Sequence, residues 1–237
     1  MSYIEGFVAA VPKANKEAYR EHAKAALPMF QDLGVTRMVE SWEDDIKDGK
    51  LNDLRMAVNA KSDEEVVFSW MEYPDKAARD AATVKMENDP RMGEMMANMP
   101  FDGKRMIFGG FAPLYDENSG GTCGYIDGCL VPVPEKNKAA FTTYAKKSAA
   151  MFMEHGATRV IDTWGDDIPD GKVTDYRRAV HAEDGETVDF GWVEWPSKET
   201  RDTAWEKIMS DESMAEMDHP FDGKRMIFGG FKPILDE

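Results

Sequence analysis

Pro100-Phe101-Asp102-Gly103-Lys104-Arg105-Met106-Ile107-Phe108-Gly109-Gly110-Phe111 returns letter for letter as Pro220 to Phe231. Each copy reads as a turn, with Asp-Gly supplying the reversal, followed by a strand in which Met, Ile and Phe lead into paired glycines. Each copy also closes its half of the chain. A length of 237 residues lets each half bury its own core. The repeat therefore predicts a first module over residues 1–116, a polar tether over residues 117–122 (Glu-Asn-Ser-Gly-Gly-Thr), and a second module over residues 123–237.

Working outward, an offset of 122 residues pairs Gly6 with Gly128, Gly34 with Gly156, Trp42 with Trp164, Arg55 with Arg177, Trp70 with Trp192 and Pro74 with Pro196. The offset falls to 120 before the closing strand, placing a two-residue length change in the region Met95 to Met99. In each half a first strand carries a central Gly, where another part of the chain can come close, and ends at Pro12 or Pro134. Asn15 and Asn137 stand where a helix N-cap is needed, and Gly34 and Gly156 where a left-handed residue ends that helix. Pro28 falls inside the first helix, against Ala150 in the second copy, and predicts a kink in one copy only. Thr36 to Trp42 and Thr158 to Trp164 read as second strands that run into acidic turns. Leu54 to Ala60 and Val66 to Tyr73 read as the extended arms of a hairpin. Asp75 and Ser197 can cap a second helix, and Asp89-Pro90 opens a shorter Met-rich turn.

The order strand, helix, strand, strand, helix, strand is the ferredoxin-like split β-α-β arrangement, four antiparallel strands with helices on one face. Val66, Phe68 and Trp70 share one face of their strand while Val67, Met71 and Tyr73 share the other, so both faces are apolar. The uncovered face needs a partner, and the second copy supplies it. The expected fold is α+β: two tandem ferredoxin-like modules packed sheet to sheet as an intrachain dimeric α/β barrel.

Composition narrows the partners. The chain is 42% hydrophobic and 31% charged, with 45 acidic against 29 basic residues and a net charge of -16. That charge repels phosphate backbones and anionic lipid, so neither nucleic acid nor membrane is an expected partner. No run approaches the ~20 apolar residues of a membrane span. The first residues lack the pattern of a secretory leader, which makes the cytoplasm the expected location. Cys123 and Cys129 have no counterparts in the first half, match no zinc or redox spacing, and are expected as free thiols.

Tyr3-Ile4-Glu5-Gly6-Phe7, Asp44-Asp45 with Asp48-Gly49-Lys50, Phe68-Ser69-Trp70 and Pro100 to Phe111, each with a counterpart in the second half, resemble the DUF1428 family. The resemblance covers nearly the whole chain, twice. It implies a dimeric α/β barrel related in shape to the antibiotic-biosynthesis monooxygenases, here fused into one polypeptide as a pseudo-dimer. It carries no catalytic residues across.

Trp42, Trp70 and Glu72, with Trp164, Trp192 and Glu194, are the candidate ligand-binding residues. Glu72 shares a strand face with Trp70, where desolvation can raise a carboxyl pKa, and Arg55 or Arg177 could complete a site for a small polar or aromatic ligand. Glu40 and Asp162 likewise share a face with Trp42 and Trp164. The plainer account makes the tryptophans core or interface residues and pairs the acids with Arg. Asp44, Asp45, Asp48 and Asp53, repeated as Asp166, Asp167, Asp170 and Asp175, fail the calcium-loop template at Ile46 and Arg55 and are expected as solvated turns, so no metal is assigned. His22, His155, His181 and His219 have no histidine counterparts, which argues against a histidine mechanism. The methionines from Met92 to Met99 fit adaptable packing, and the Gly-Gly pairs lack the spacing of a nucleotide fingerprint. The expected function is binding of a small apolar or aromatic molecule in a cleft of the barrel, without a cofactor. The alternatives are a cofactor-independent monooxygenase- or isomerase-like enzyme, by analogy of fold, and a packing module with no ligand.

Overall fold

Alternation along Tyr3–Pro12 (β1) sends Ile4, Val8 and Ala10 to one face and Tyr3, Ala9 and Val11 to the other, and all six are buried. A strand with two apolar faces must be covered on both sides. The computed structural model, which describes residues 2–211 and 218–237, shows how. The remaining strands are β2 (Arg37–Asp45), β3 (Glu64–Tyr73), β4 (Ile107–Asn118), β5 (Tyr125–Pro134), β6 (Arg159–Asp167), β7 (Glu186–Trp195) and β8 (Ile227–Asp236). They hydrogen-bond in the order β1-β3-β2-β8-β5-β7-β6-β4 and close on themselves as an antiparallel barrel. The two four-stranded sheets join at β2–β8 and β4–β6, because each closing strand outruns its own sheet and pairs with the second strand of the other. Closure leaves no unpaired edge.

All eight strands contribute to the barrel core, whose centre is aromatic. Phe68 and Phe190 stack at 4.3 Å and 6°, and Trp70 lies 4.2 Å from Trp192. The conserved spacing of the central glycines now has a cause. A side-chain carbon on Gly6 would stand 2.9 Å from the Phe190 ring, and one on Gly128 would stand 2.9 Å from the Phe68 ring. Each half leaves a notch for the other's phenylalanine.

Helices α1 (Lys16–Asp32), α3 (Lys76–Met86) and α4 (Pro90–Ala97) cover the outer face of the first sheet, and α5 (Lys138–Glu154) and α7 (Lys198–Ser210) that of the second. Asp75 and Ser197 cap their helices by accepting from the Ala78 and Thr200 amides, and Gly34 and Gly156 adopt φ of 105° and 101°. Helix α1 continues through Pro28 and matches α5 in length, at 17 residues.

Four local expectations are corrected. Leu54–Ala57 (α2) and Tyr176–Ala179 (α6) are short helices where extended chain is expected, because Asp53 and Asp175 accept from the Met56 and Arg178 amides and start a turn. Asn15 and Asn137 occupy the cap positions but do not cap; their side-chain amides donate to Pro100 O at 2.7 Å and Pro220 O at 2.8 Å, tying down the repeated closing segment. Of the acidic turns, Asp48 and Asp170 are exposed as expected, whereas the first two acids of each are clasps between the halves. Asp44 accepts from the Tyr125 hydroxyl at 3.0 Å and from Lys198, while Asp166 accepts from the Tyr3 hydroxyl at 2.9 Å. Arg201 and Arg79 reach Asp45 and Asp167 at 3.2 and 2.6 Å. Strand β4 also runs through Glu117 and Asn118, into the stretch expected as a tether.

Candidate functional site

Four of the eight residues singled out in the sequence meet inside the barrel. Trp70 donates its indole N–H to Glu72 at 3.2 Å, and Trp192 donates to Glu194 at 3.0 Å. Each carboxylate is taken by a guanidinium. Arg159 grips Glu72 with two bonds of 2.6 and 3.1 Å, Arg37 grips Glu194 with two of 2.7 and 3.0 Å, and Asp116 and Asp236 hold the outer sides of the two arginines. Both arginines also lie over an indole, at 5.7 Å from Trp70 and 5.5 Å from Trp192. The donors and acceptors of this cluster are answered by one another across the two halves.

The other four residues lie elsewhere. Arg55 pairs with Glu43 at 2.8 Å and donates to the Lys61 and Glu64 carbonyls, and Arg177 donates to the Glu183 and Glu186 carbonyls. Both brace hairpins and neither approaches a tryptophan pair. The arginines that do, Arg37 and Arg159, correspond to each other at the repeat offset, a signal the sequence carried. Trp42 and Trp164 face the helices, with Lys16 and Lys138 over their rings at 5.1 and 4.8 Å.

Open space lies between the outer face of the barrel and its helices. In the first half a cavity of about 320 Å³ is walled by Phe7, Tyr19, Phe30 and Phe101 and roofed by Met92, Met95, Met96 and Met99. Unbranched methionines make an adaptable wall. On its floor Glu40 accepts from the Tyr19 and Ser69 hydroxyls, both at 2.5 Å. Burial pushes the Glu40 carboxyl above its ordinary value, and the two hydroxyls pull it part of the way back. Burial lowers the His22 pKa at the cavity wall.

The equivalent cavity in the second half, about 280 Å³, has different chemistry on the same frame. Asp162 replaces Glu40, Asp189 replaces Val67, Gly191 replaces Ser69 and Cys129 replaces Phe7. A carbon added at Gly191 would meet Asp189 Oδ2 at 2.9 Å, Cys129 Sγ at 3.1 Å and Asp162 Oδ1 at 3.3 Å, so the three groups crowd over one glycine. Desolvation pushes Asp162 up to about 7. Asp189 rises well above the carboxylate range through desolvation and then through the charge of Asp162. Burial raises the Cys129 thiol as well. Asp189 accepts from the Thr163 amide at 2.6 Å through Oδ1, while Oδ2 has no hydrogen-bond partner among the described residues. Sequence reasoning missed Asp189, although its signal was an acid standing opposite Val67 on a strand buried on both faces. No group of three His, Cys, Asp or Glu among the described residues is placed to hold a metal ion, and no helix among them is long and apolar enough to cross a membrane.

The family model described as "Protein of unknown function (DUF1428)" matches residues 2–103 and again 124–223. Uncharacterized protein YbaA from Escherichia coli K12 is 58% identical over 117 residues, which span all of that protein and 49% of this chain; a YbaA from Shigella flexneri matches equally. Among solved structures, a candidate monooxygenase from Fusobacterium nucleatum superposes with a TM-score of 0.60 at 12% identity, covering 100% of this chain and 94% of its own. A second, from Lactobacillus acidophilus, gives 0.58 at 11%, covering 99% and 95%. At these identities the likeness is one of fold.

Proposed function

The chain belongs to the DUF1428 family, with two copies in one polypeptide, and from that premise we propose that it binds small, largely apolar or aromatic molecules in the two cavities between barrel and helices. The observation that carries this is Glu40: a carboxyl without a cationic partner among the described residues, held by two hydroxyls at the floor of a cavity walled mainly by methionine, aromatic and aliphatic side chains. Apolar walls with a few converging polar groups are the usual make-up of a ligand site. The tryptophan and glutamate cluster inside the barrel is assigned the structural task instead, since its carboxylates are occupied by Arg37 and Arg159.

The test is thermal unfolding with indole and 1-naphthol as probes. A ligand at ~100 times its dissociation constant adds about 2.7 kcal/mol of apparent stability. Ala26→Leu narrows the first cavity and Ser148→Leu the second, so each is expected to remove part of the shift and the double variant all of it. A shift that survives in the double variant sinks the assignment.

A second reading is favoured by Asp162, a cavity-facing carboxyl raised to about 7. A group poised there can take a proton from an activated aromatic or carbonyl substrate as a general base, the chemistry of a cofactor-independent isomerase or oxygenase. Hydrogen–deuterium exchange at the acidic carbon of a bound ketone, lost in Asp162→Asn, is its signature.

A further inference from the structure

We propose that the cavity of the second half recognises an organic ammonium, the protonated form of a small amine with an apolar or aromatic body. The proposal rests on the reading that the helix-side cavities hold ligands and adds the charge of the ligand in one of them.

The first support is an imbalance of charge. Inside and outside the barrel, the buried strand acids Glu5, Glu64, Glu72, Glu186 and Glu194 each meet a guanidinium, from Arg79, Arg105, Arg159, Arg225 and Arg37 respectively. Asp127, at the rim of the second cavity, is held by Arg201 and by the Trp195 and Trp205 indoles. Asp162 and Asp189 sit beside each other with no ion pair formed by either among the described residues. Asp189 is fully buried, and its Oδ2 is left without a partner among the described residues. Two carboxyls in an apolar recess cannot both ionise unless a cation joins them.

The second support is the wall above the acids. Tyr144 stands 5.4 Å from His219 and 5.2 Å from Phe221, Phe141 stands 5.8 Å from Phe221, and all four rings line the cavity together with Trp205. Aromatic faces attract a cation that has shed water. No Lys or Arg among the described residues lines the space. The first half has Val67, Met99, His22 and Thr83 where the second has Asp189, His219, Tyr144 and Trp205, so the second acid and these three rings belong to this half alone, while Phe141 and Phe221 answer Tyr19 and Phe101.

In the empty cavity the acid pair retains a proton at neutral pH. An entering ammonium donates an N–H bond to Asp162, which lines the cavity with Asp189 buried beside it; the pair gives up that proton to the buffer, and charge balances as one cation enters and one proton leaves. The other titratable groups facing the pair are the Cys129 thiol and the Tyr144 phenol, both pushed up by burial, with Asp127 and His219 also lining the cavity.

The experiment is calorimetry with 2-phenylethylamine and its neutral isostere 2-phenylethanol at neutral pH, in buffers of different ionisation enthalpy. Wild type is expected to bind the amine about 10- to 100-fold more tightly than the alcohol, the scale of hydrogen bonds to a charged group, with proton release. Asp189→Val should bring the ratio near unity without weakening the alcohol. This variant carries the residue that the first half already buries at the same position; Asp162→Asn is the second probe. Equal affinities in wild type, or a preference that survives Asp189→Val, overturn the ammonium assignment while leaving the cavity as a ligand site. Binding of neither probe overturns both.

Discussion

Glu72 and Asp189 are both strand carboxyls, 8% and 0% exposed, yet they are treated in opposite ways. Glu72 points into the barrel and is met by Arg159 from the other half at 2.6 Å. Asp189 points to the helices, and its Oδ2 has no hydrogen-bond partner among the described residues. Inside the barrel the halves remain interchangeable: Phe68 answers Phe190, Gly6 answers Gly128, and Arg37 answers Arg159. Beneath the helices they have parted, at Val67 against Asp189 and Phe7 against Cys129. The inner face must fit its own counterpart, so a change on one side needs a matching change on the other. The outer faces meet separate helices and are free to differ.

The inner face breaks most severely when one member of a charge pair is lost. Arg159→Ala leaves Glu72 with the Trp70 indole and the longer 3.4 Å reach of Arg37, and Asp116 without this guanidinium; removing one partner of a buried pair costs about 3–5 kcal/mol where nothing else compensates, so urea denaturation should show a loss toward the lower end of that range. A loss below about 1 kcal/mol would mean that water replaces the guanidinium, which would erase the contrast with the outer face. Gly128→Ala follows, since its new methyl would press on the Phe68 ring. Overpacking of this kind costs about 1–3 kcal/mol, and Phe68→Leu in the same chain should recover part of it.

These contacts also mark what could be read beforehand. The repeat, the turn chemistry of Asp-Gly and the two-faced apolar pattern of Val66 to Tyr73 led to the barrel, because they are local or periodic properties. The four-residue helices at Leu54 and Tyr176 were not legible, since one turn held by a single aspartate has no period to detect. The choice of Arg37 and Arg159 over Arg55 and Arg177 depends on how the halves face one another. The cavities are gaps between side chains, which no residue spells out. Glu40 and Asp162 were legible as acids on a tryptophan-bearing face, but the absence of a cation beside them was not.

On the outer face a loss of charge is expected to help. Asp189→Val removes a buried oxygen with no partner among the described residues, a gain of about 1–3 kcal/mol that is offset in part because the Thr163 amide loses its acceptor. The sign of its pH dependence follows from the acid pair. A carboxyl raised in the folded state keeps its proton there while the unfolded chain releases it, so its contribution is present at low pH and is lost as pH climbs. For Asp189 the loss sets in above its ordinary 3.8 and, since burial and the charge of Asp162 hold its carboxyl well above that value, continues as pH climbs. The advantage of Asp189→Val over wild type should therefore be larger at about pH 8 than at about pH 5. An advantage that shrinks with pH would show that a cation already compensates the pair.

Glu40→Gln has the smallest expected effect and divides the two faces most finely. A glutamine carbonyl can accept from Tyr19 and Ser69 as the carboxylate does, so the cost should stay below about 1 kcal/mol. The pH dependence is the sharper measure. Wild-type Glu40, raised by burial above 4.5, withdraws stability as pH rises past that value, and the variant does not. Melting curves of the two proteins should thus diverge in favour of Glu40→Gln toward higher pH. Glu72→Gln, which weakens a bidentate grip, should be less stable than wild type near neutral pH. If Glu40→Gln falls as far as Glu72→Gln, the floor of the first cavity is a structural joint like the barrel interior, and the separation between a closed inner face and a ligand-facing outer face fails at that point.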